Sequence, residues 1–242
     1  MENKNHRWVF RILPPKNKKG SHLGIVFSLI IFVSFLVFLY IIAAPGLVFQ
    51  KDKTLAMEQL KVKLPQSFSA DLTEITVSSP DGEVGCFKIT STNFGTYYIV
   101  KNKAGEIVPS FLQGSTLEIN TDLDEFYKVY SSEQNLGYTG SGLGTCSIII
   151  GTIESSKTSK KVFETKIVEF IDIYGDDYED LKESLNIAFE TDFSFKFTDK
   201  DDVTVGPDIT DKTLEVFVEE IPLEYVDAEA NLNLGILTIS VW

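Results

Sequence analysis

Histidine is almost missing from this chain of 242 residues, where His6 and His22 are the only two. Both precede a long apolar run, so neither can serve a site in the residues beyond Gln50. Ser-His or Cys-His nucleophilic catalysis and imidazole-based metal centres are therefore excluded from that part. Cysteine is as scarce: Cys86 and Cys146 are the only two, too few for a zinc site of their own. Charge is absent altogether between Lys19 and Lys51. A gap of that length does not occur on the surface of a domain in water.

What fills the gap is apolar from Leu23 to Ala44. Twenty-two residues of helix rise about 33 Å at ~1.5 Å each, enough to cross a hydrocarbon core of roughly 30 Å. The net charge is −13; residues 1–20 contribute +5 (Lys4, Arg7, Arg11, Lys16, Lys18 and Lys19 against Glu2), so the rest carries −18. An excess of Lys and Arg on one short flank marks the cytoplasmic side of a span. The expected orientation is thus N-terminus inside and C-terminal domain outside, in a single-pass cell-membrane protein with the lipid bilayer as its first partner. A cleaved secretory signal is the alternative. Its apolar core would run ~7–15 residues, and a cut after Ala44 would place Ile42 where a small residue is wanted. An outer part at −18 repels phosphate backbones, so nucleic acid is not an expected partner.

The segments divide as a basic leader (1–20), a transmembrane helix (21–49), a stalk or linker (50–66) and an outer domain (67–242). Pro45-Gly46 is the expected break after the span, and residues 51–63 read as a short amphipathic stalk. Beyond Ser67, short β-like runs alternate with turn signals: Val84–Thr90, Thr96–Lys101, Ile107-Val108, Leu117–Ile119 and Phe126–Tyr130. Lys103–Glu106 reads as a hairpin turn. Such spacing predicts a small β-sandwich. The period then switches. Ile167, Ile171, Tyr174, Tyr178, Leu181 and Leu185 follow steps of four and three, one face of an amphipathic helix over about 163–186. Gly175 interrupts it and allows a kink or two shorter helices. Strands resume with Phe193, Phe195 and Phe197 alternating with Ser194 and Lys196, then Leu214–Val218 and Ile236–Trp242. The fold class is α+β: an N-terminal transmembrane helix, then a β-rich, sandwich-like ectodomain with one amphipathic helix. Cys86 and Cys146 each begin a strand-like run in an oxidising compartment, which predicts a disulfide; the alternative is two separate buried thiols.

Three constellations invite a chemical reading, each beside a simpler one. Gly137–Gly144 is glycine-rich like a phosphate-cradling loop, but it leads into a strand and offers no lysine, so a connector is expected. Asp199, Asp201 and Asp202, and likewise Asp122, Asp124 and Glu125, are carboxylate clusters without the spaced pattern of a calcium loop, and read as solvated turns. Tyr97, Tyr98, Phe126 and Tyr127 could floor a sugar-binding groove, against ordinary packing on alternate strand faces. No catalytic, cofactor-binding or metal-ligating set emerges, and an enzyme is not expected.

Lys18-Lys19-Gly20 directly before the apolar helix resembles the class III signal of archaeal type IV pilin-like proteins. The resemblance implies that a prepilin-type peptidase cuts between Gly20 and Ser21 on the cytoplasmic side. The apolar segment would then stay as the mature N-terminus and bundle with other pilin-like subunits. Ile25 stands at the fifth mature position, where many members carry glutamate. Residues 84–242 are also similar to uncharacterised archaeal membrane-anchored proteins through the two strand-borne cysteines, the acidic Tyr-containing stretch Asp177–Leu185, Asp192-Phe193-Ser194-Phe195 and the closing Val241-Trp242; no activity is implied. The leading expectation is a structural pilin-like or pseudopilin-like subunit. The alternative is an anchored extracellular ligand- or glycan-binding module that does not assemble.

Overall fold

The computed structural model describes residues 21–80, 85–91, 94–121, 124–137, 146, 149–207 and 215–242, with side chains from 23 to 42 and from 52 onward. In chain order the elements are α1 (Ser21–Ser67), β1 (Ser69–Ser78), β2 (Gly85–Thr90), β3 (Tyr97–Lys101), β4 (Ser110–Gln113), β5 (Thr116–Thr121), β6 (Phe126–Ser132), β7 (Thr152–Phe163), α2 (Glu164–Asp176), α3 (Tyr178–Ser184), β8 (Phe193–Thr198), β9 (Thr204–Val205), β10 (Phe217–Val226) and β11 (Leu232–Val241). The class is α+β and rich in strand. The chain divides into two units at Lys51/Asp52.

In the first unit, Leu23–Ile42 is long and apolar enough to cross a membrane, and none of it is buried. Apolar residues occupy every side of this stretch, as a helix surrounded by lipid or by like helices requires. Ser34 donates its hydroxyl to the Ile30 carbonyl at 2.7 Å, so its polar group is satisfied within the helix.

The second unit opens on residues 52–67 of the same helix, and here two expectations need correction. No break occurs at Pro45-Gly46, because α1 continues without interruption to Ser67. Nor are residues 50–66 a stalk or linker. Ala56, Met57, Leu60 and Leu64 fall on one helical face and are buried with Phe68. They join a core with Phe170, Leu181, Phe193, Phe195, Phe197, Tyr225, Leu237, Ile239 and Val241.

The larger sheet runs β3-β6-β1-β7-β10-β11-β8-β9, and the smaller one β2-β5-β4. One half of the large sheet, β10-β11-β8, buries the inner face that α1, α2 and α3 cover. The other half, β3-β6-β1, faces the small sheet across a second core of Ile75, Val77, Phe87, Ile89, Val100, Leu117, Ile119, Tyr127 and Val129. Most expected strands recur within a few residues. Ile107 makes only an isolated bridge with Lys101, and Ile150 one with Lys88.

The expected single helix over 163–186 is two helices. The break falls at Asp177 (φ −134°, ψ 49°), not at Gly175, which lies inside α2. This swivel stacks Tyr174 and Tyr178 edge to face at 4.8 Å and brings both hydroxyls to the Phe193 carbonyl, at 2.6 and 3.3 Å. Burial raises the pKa of both phenols, so both remain neutral donors.

Candidate functional site

The cleft with the most chemistry among the described residues lies on the face of β3-β6-β1 that points away from the small sheet. It holds about 450 Å³ and is lined by Thr76, Lys101–Lys103, Gly105 and Asp124–Lys128 with Tyr130. Strand alternation builds it. Val100 and Tyr127 point into the core between the sheets, so Lys101, Phe126 and Lys128 point to the other side. The 102–106 turn forms a wall. The Asn102 N–H donates to the Glu106 carbonyl and the Gly105 N–H to that of Asn102, both at 3.0 Å. Gly105 has φ +85° there, which suits a residue without Cβ. The Lys103 N–H donates to Asp124 Oδ2 at 3.1 Å and joins the turn to the start of β6.

Lys101 is the unusual member, since a lysine is seldom 95% buried. Its Nζ donates to Asn231 Oδ1 at 2.6 Å and lies 5.5 Å from the centre of the Tyr130 ring. Burial lowers its pKa, and the nearby Asp227 and Glu229 carboxylates oppose that shift.

Behind Asn231 stands Asp227, in the tight β10–β11 turn. Its Oδ1 accepts the Glu229 and Asn231 N–H groups at 3.0 and 2.8 Å. Its Oδ2 accepts the side-chain amides of Asn231 and Asn233 at 3.0 and 2.8 Å. Burial works to raise this carboxyl's pKa, but the hydrogen bonds from Asn231, Asn233 and Glu229 outweigh it, and the net shift is downward. The chain Lys101–Asn231–Asp227–Asn233 therefore fastens the β10–β11 turn to the end of β3. Its ammonium is engaged in structure.

A carboxylate whose folded pKa is depressed contributes stability above its unfolded pKa and loses it as pH falls through the folded value. Asp227→Asn replaces acceptor Oδ2 or Oδ1 by a donor facing donors, and should cost on the order of 3 kcal/mol at neutral pH. The gap between wild type and variant should narrow as pH falls below about 4, the unfolded carboxyl value. Urea melts in detergent micelles at pH 7 and pH 3 measure this; an equal gap at both pH values would refute the assignment.

The aromatic groove does not assemble. Tyr98 and Tyr127 are buried between the sheets. The Tyr98 hydroxyl accepts the Leu112 N–H at 2.8 Å, and the Tyr127 ring lies 5.5 Å from Phe87. Tyr97 and Phe126 share the opposite face but stand at opposite ends of β6, against Ser132 and Ser78 respectively. Of the four, Phe126 and Tyr127 border the cleft, and only Phe126, 43% exposed, is not buried there.

The 199–202 carboxylates form the tip of the β8–β9 hairpin, where Asp199 Oδ1 accepts the Asp201 and Val203 N–H groups at 2.8 and 2.9 Å. Among the described residues no group of three His, Cys, Asp or Glu could hold a metal ion. Gly20, Asp122 and residues 138–144 of the glycine-rich run lie outside the described residues. Ser21 is the first residue of α1.

The Cys86 and Cys146 sulfurs are bonded to each other, with Cα atoms 5.4 Å apart. Beside the bridge, the Lys88 N–H donates to the Ile149 carbonyl at 2.8 Å and the Gly151 N–H to the Lys88 carbonyl at 2.9 Å. The segment entering β7 is thereby tied to the small sheet.

A further cluster had no sequence signal. Lys182, 3% exposed, donates to the Phe189 carbonyl and to Asp192 Oδ1, both at 2.9 Å. Asp192 and Trp242 exchange backbone hydrogen bonds at 3.0 Å. The group fastens α3 to the start of β8 and the end of β11. Its periodicity in the sequence marks only the apolar side of the helix, which conceals a buried cation.

No protein-family model, no curated protein and no solved structure matches the chain.

Proposed function

We propose that the chain is a single-pass cell-surface protein, N-terminus inside and C-terminal domain outside, acting as a structural pilin-like or pseudopilin-like subunit. The observation that carries this reading is α1. One helix is bare and apolar on all sides over 23–42, yet buries Ala56, Met57, Leu60 and Leu64 in a folded domain. An apolar helix of that kind can bundle with copies of itself, and the domain that begins at Asp52 is what such a bundle would carry. The leader's charge supports the orientation, and the Cys86–Cys146 bond fits an oxidising outer compartment. The facing sheets β2-β5-β4 and β3-β6-β1 support reading that outer domain as sandwich-like.

On this reading a prepilin-type peptidase removes residues 1–20. Protein isolated from native membranes should begin at Ser21, as read by N-terminal peptide mapping. Membrane-inserted protein that retains Met1–Gly20 would refute processing.

The cleft supports a second reading, an anchored module that binds an extracellular ligand without assembling. Phe126 offers a ring face, and Lys103 and Lys128 offer ammonium groups in an otherwise acidic domain. Titration of the full chain with an acidic oligosaccharide such as oligogalacturonate, followed by amide chemical shifts, should then perturb Lys103, Phe126 and Lys128. Unchanged shifts at millimolar sugar would count against it.

A further inference from the structure

The large sheet is nearly severed in the middle. β10 meets β7 only where Tyr225 and Val226 lie beside Val162 and Phe163. On its other side β7 pairs with β1 along its whole length. Residues 155–161 thus have a strand on one edge and, among the described residues, none on the other.

The orientation of the free groups follows from the ladder. The Phe163 N–H donates to the Phe68 carbonyl, so alternation turns the backbone groups of Lys161, Ser159, Lys157 and Ser155 toward β1. Those of Ser156, Thr158 and Lys160 point outward. The register shift lies at Thr76/Val77, beyond this stretch. The facing edge of β10 is guarded, since Pro222 removes a donor from it. The β7 edge contains no proline, and its guards are Lys157, Lys160 and Lys161, charges that oppose pairing except in a register that sets each against a neutral residue.

Charge indicates what can approach. With −18 beyond residue 20, two copies repel each other over most of their surfaces. Along β7 the charge is balanced: Lys157 lies opposite Glu74, Lys160 opposite Asp71, and Lys161 Nζ sits 2.5 Å from Glu224. We infer that the β7 edge pairs antiparallel with β7 of a second copy of this chain, about a two-fold axis through Thr158, joining two large sheets into one.

The register is selected by the lysines. With Thr158 opposite itself, Lys157 faces Ser159, Lys160 faces Ser156 and Lys161 faces Ser155 of the other copy. Centring on Lys157 or Lys160 would set that lysine against itself, and centring on Ser159 would set Lys157 against Lys161, all unfavourable. Centring on Ser156 avoids these clashes but pairs only 155–157 of the 155–161 stretch, whereas centring on Thr158 pairs all of it. Half-residue registers would turn one strand's outward groups away. The inference is independent of the reading of α1, because helix bundling requires nothing of β7.

Thr158→Cys tests it in the full chain in detergent micelles. Facing residues of a hydrogen-bonded antiparallel pair have Cα atoms about 5.5 Å apart, within disulfide reach. Mild oxidation should yield covalent dimer at about tenfold or more the level of Val203→Cys, an exposed site outside β7 that reports random encounter. Adding Ser159→Lys, which places lysine against Lys157 of the other copy without altering the backbone, should bring the yield down to the Val203→Cys level. Equal yields from the two chains, each with one added cysteine, would mean that copies meet through the helix alone, and would overturn the inference. So would a Thr158→Cys yield unmoved by Ser159→Lys, or a membrane-bound Thr158→Cys chain that crosslinks to a different protein.

Discussion

Phe195→Ala is expected to remove about 3–5 kcal/mol of stability, the range for deleting a fully buried aromatic ring. A domain of this size has roughly 5–15 kcal/mol in all, so the variant should be marginal at physiological temperature. Phe195 is 1% exposed. Its ring lies 5.7 Å from Phe68, 5.6 Å from Phe170 and 5.8 Å from Tyr174. Those neighbours come from the junction of α1 with β1 and from α2, elements more than 90 residues apart in sequence. The cavity would therefore open where three elements meet, and none of them can shift inward without leaving its other contacts. Urea unfolding followed by tryptophan fluorescence measures the loss. A change below about 1 kcal/mol would mean that this core collapses around the cavity, and that α1 is less firmly seated than its buried face indicates.

Removing the disulfide in a Cys86→Ala/Cys146→Ala chain should cost about 4 kcal/mol on the chain-entropy model. The bond closes a separation of 60 residues, spanning β2 through β6, so its constraint on the unfolded chain is large. In the folded chain little should change, because the Lys88–Ile149 and Lys88–Gly151 hydrogen bonds and the core between the sheets remain. The expected pattern is a lower denaturation midpoint with native amide shifts retained around Lys88. A stability equal to wild type would show that the unfolded chain is already compact across this segment.

Some elements were legible because their burial repeats at a fixed local period. Phe193, Phe195 and Phe197 alternate, and β8 is found at Phe193–Thr198. Ile167, Phe170, Leu181 and Leu185 are buried on α2 and α3, close to the predicted stripe. The pairing of Cys86 with Cys146 could be expected from their number, but not their distance. Strand β7 was not legible at all. Thr-Ile-Glu-Ser-Ser-Lys-Thr-Ser-Lys-Lys has no apolar alternation, because both faces of that stretch are largely exposed. It is a strand because β1 offers it a ladder.

The candidate cleft was legible only in fragments. The 102–106 turn was marked by Gly105, and Phe126 by its aromatic character. The Lys101–Asn231 contact joins residues 130 apart in sequence, and no local pattern could announce it. The proposed aromatic groove failed for the converse reason. Adjacent aromatic residues on a strand point to opposite faces, so Tyr97 and Tyr98, like Phe126 and Tyr127, are separated by the sheet itself.

The sequence by itself determined the apolar run Leu23–Ala44, the charge imbalance across it, and the alternation that makes most strands and helices. Those are properties of neighbouring residues and need no fold to exist. Tertiary structure alone decided that residues 52–67 of α1 bury Leu60 and Leu64 in the domain core, and that Asp177 rather than Gly175 breaks the second helical segment. It also decided that a polar run becomes β7, paired with β1. Each of these depends on what a distant segment supplies, whether a core to bury against, a carbonyl to reach, or a strand to pair with.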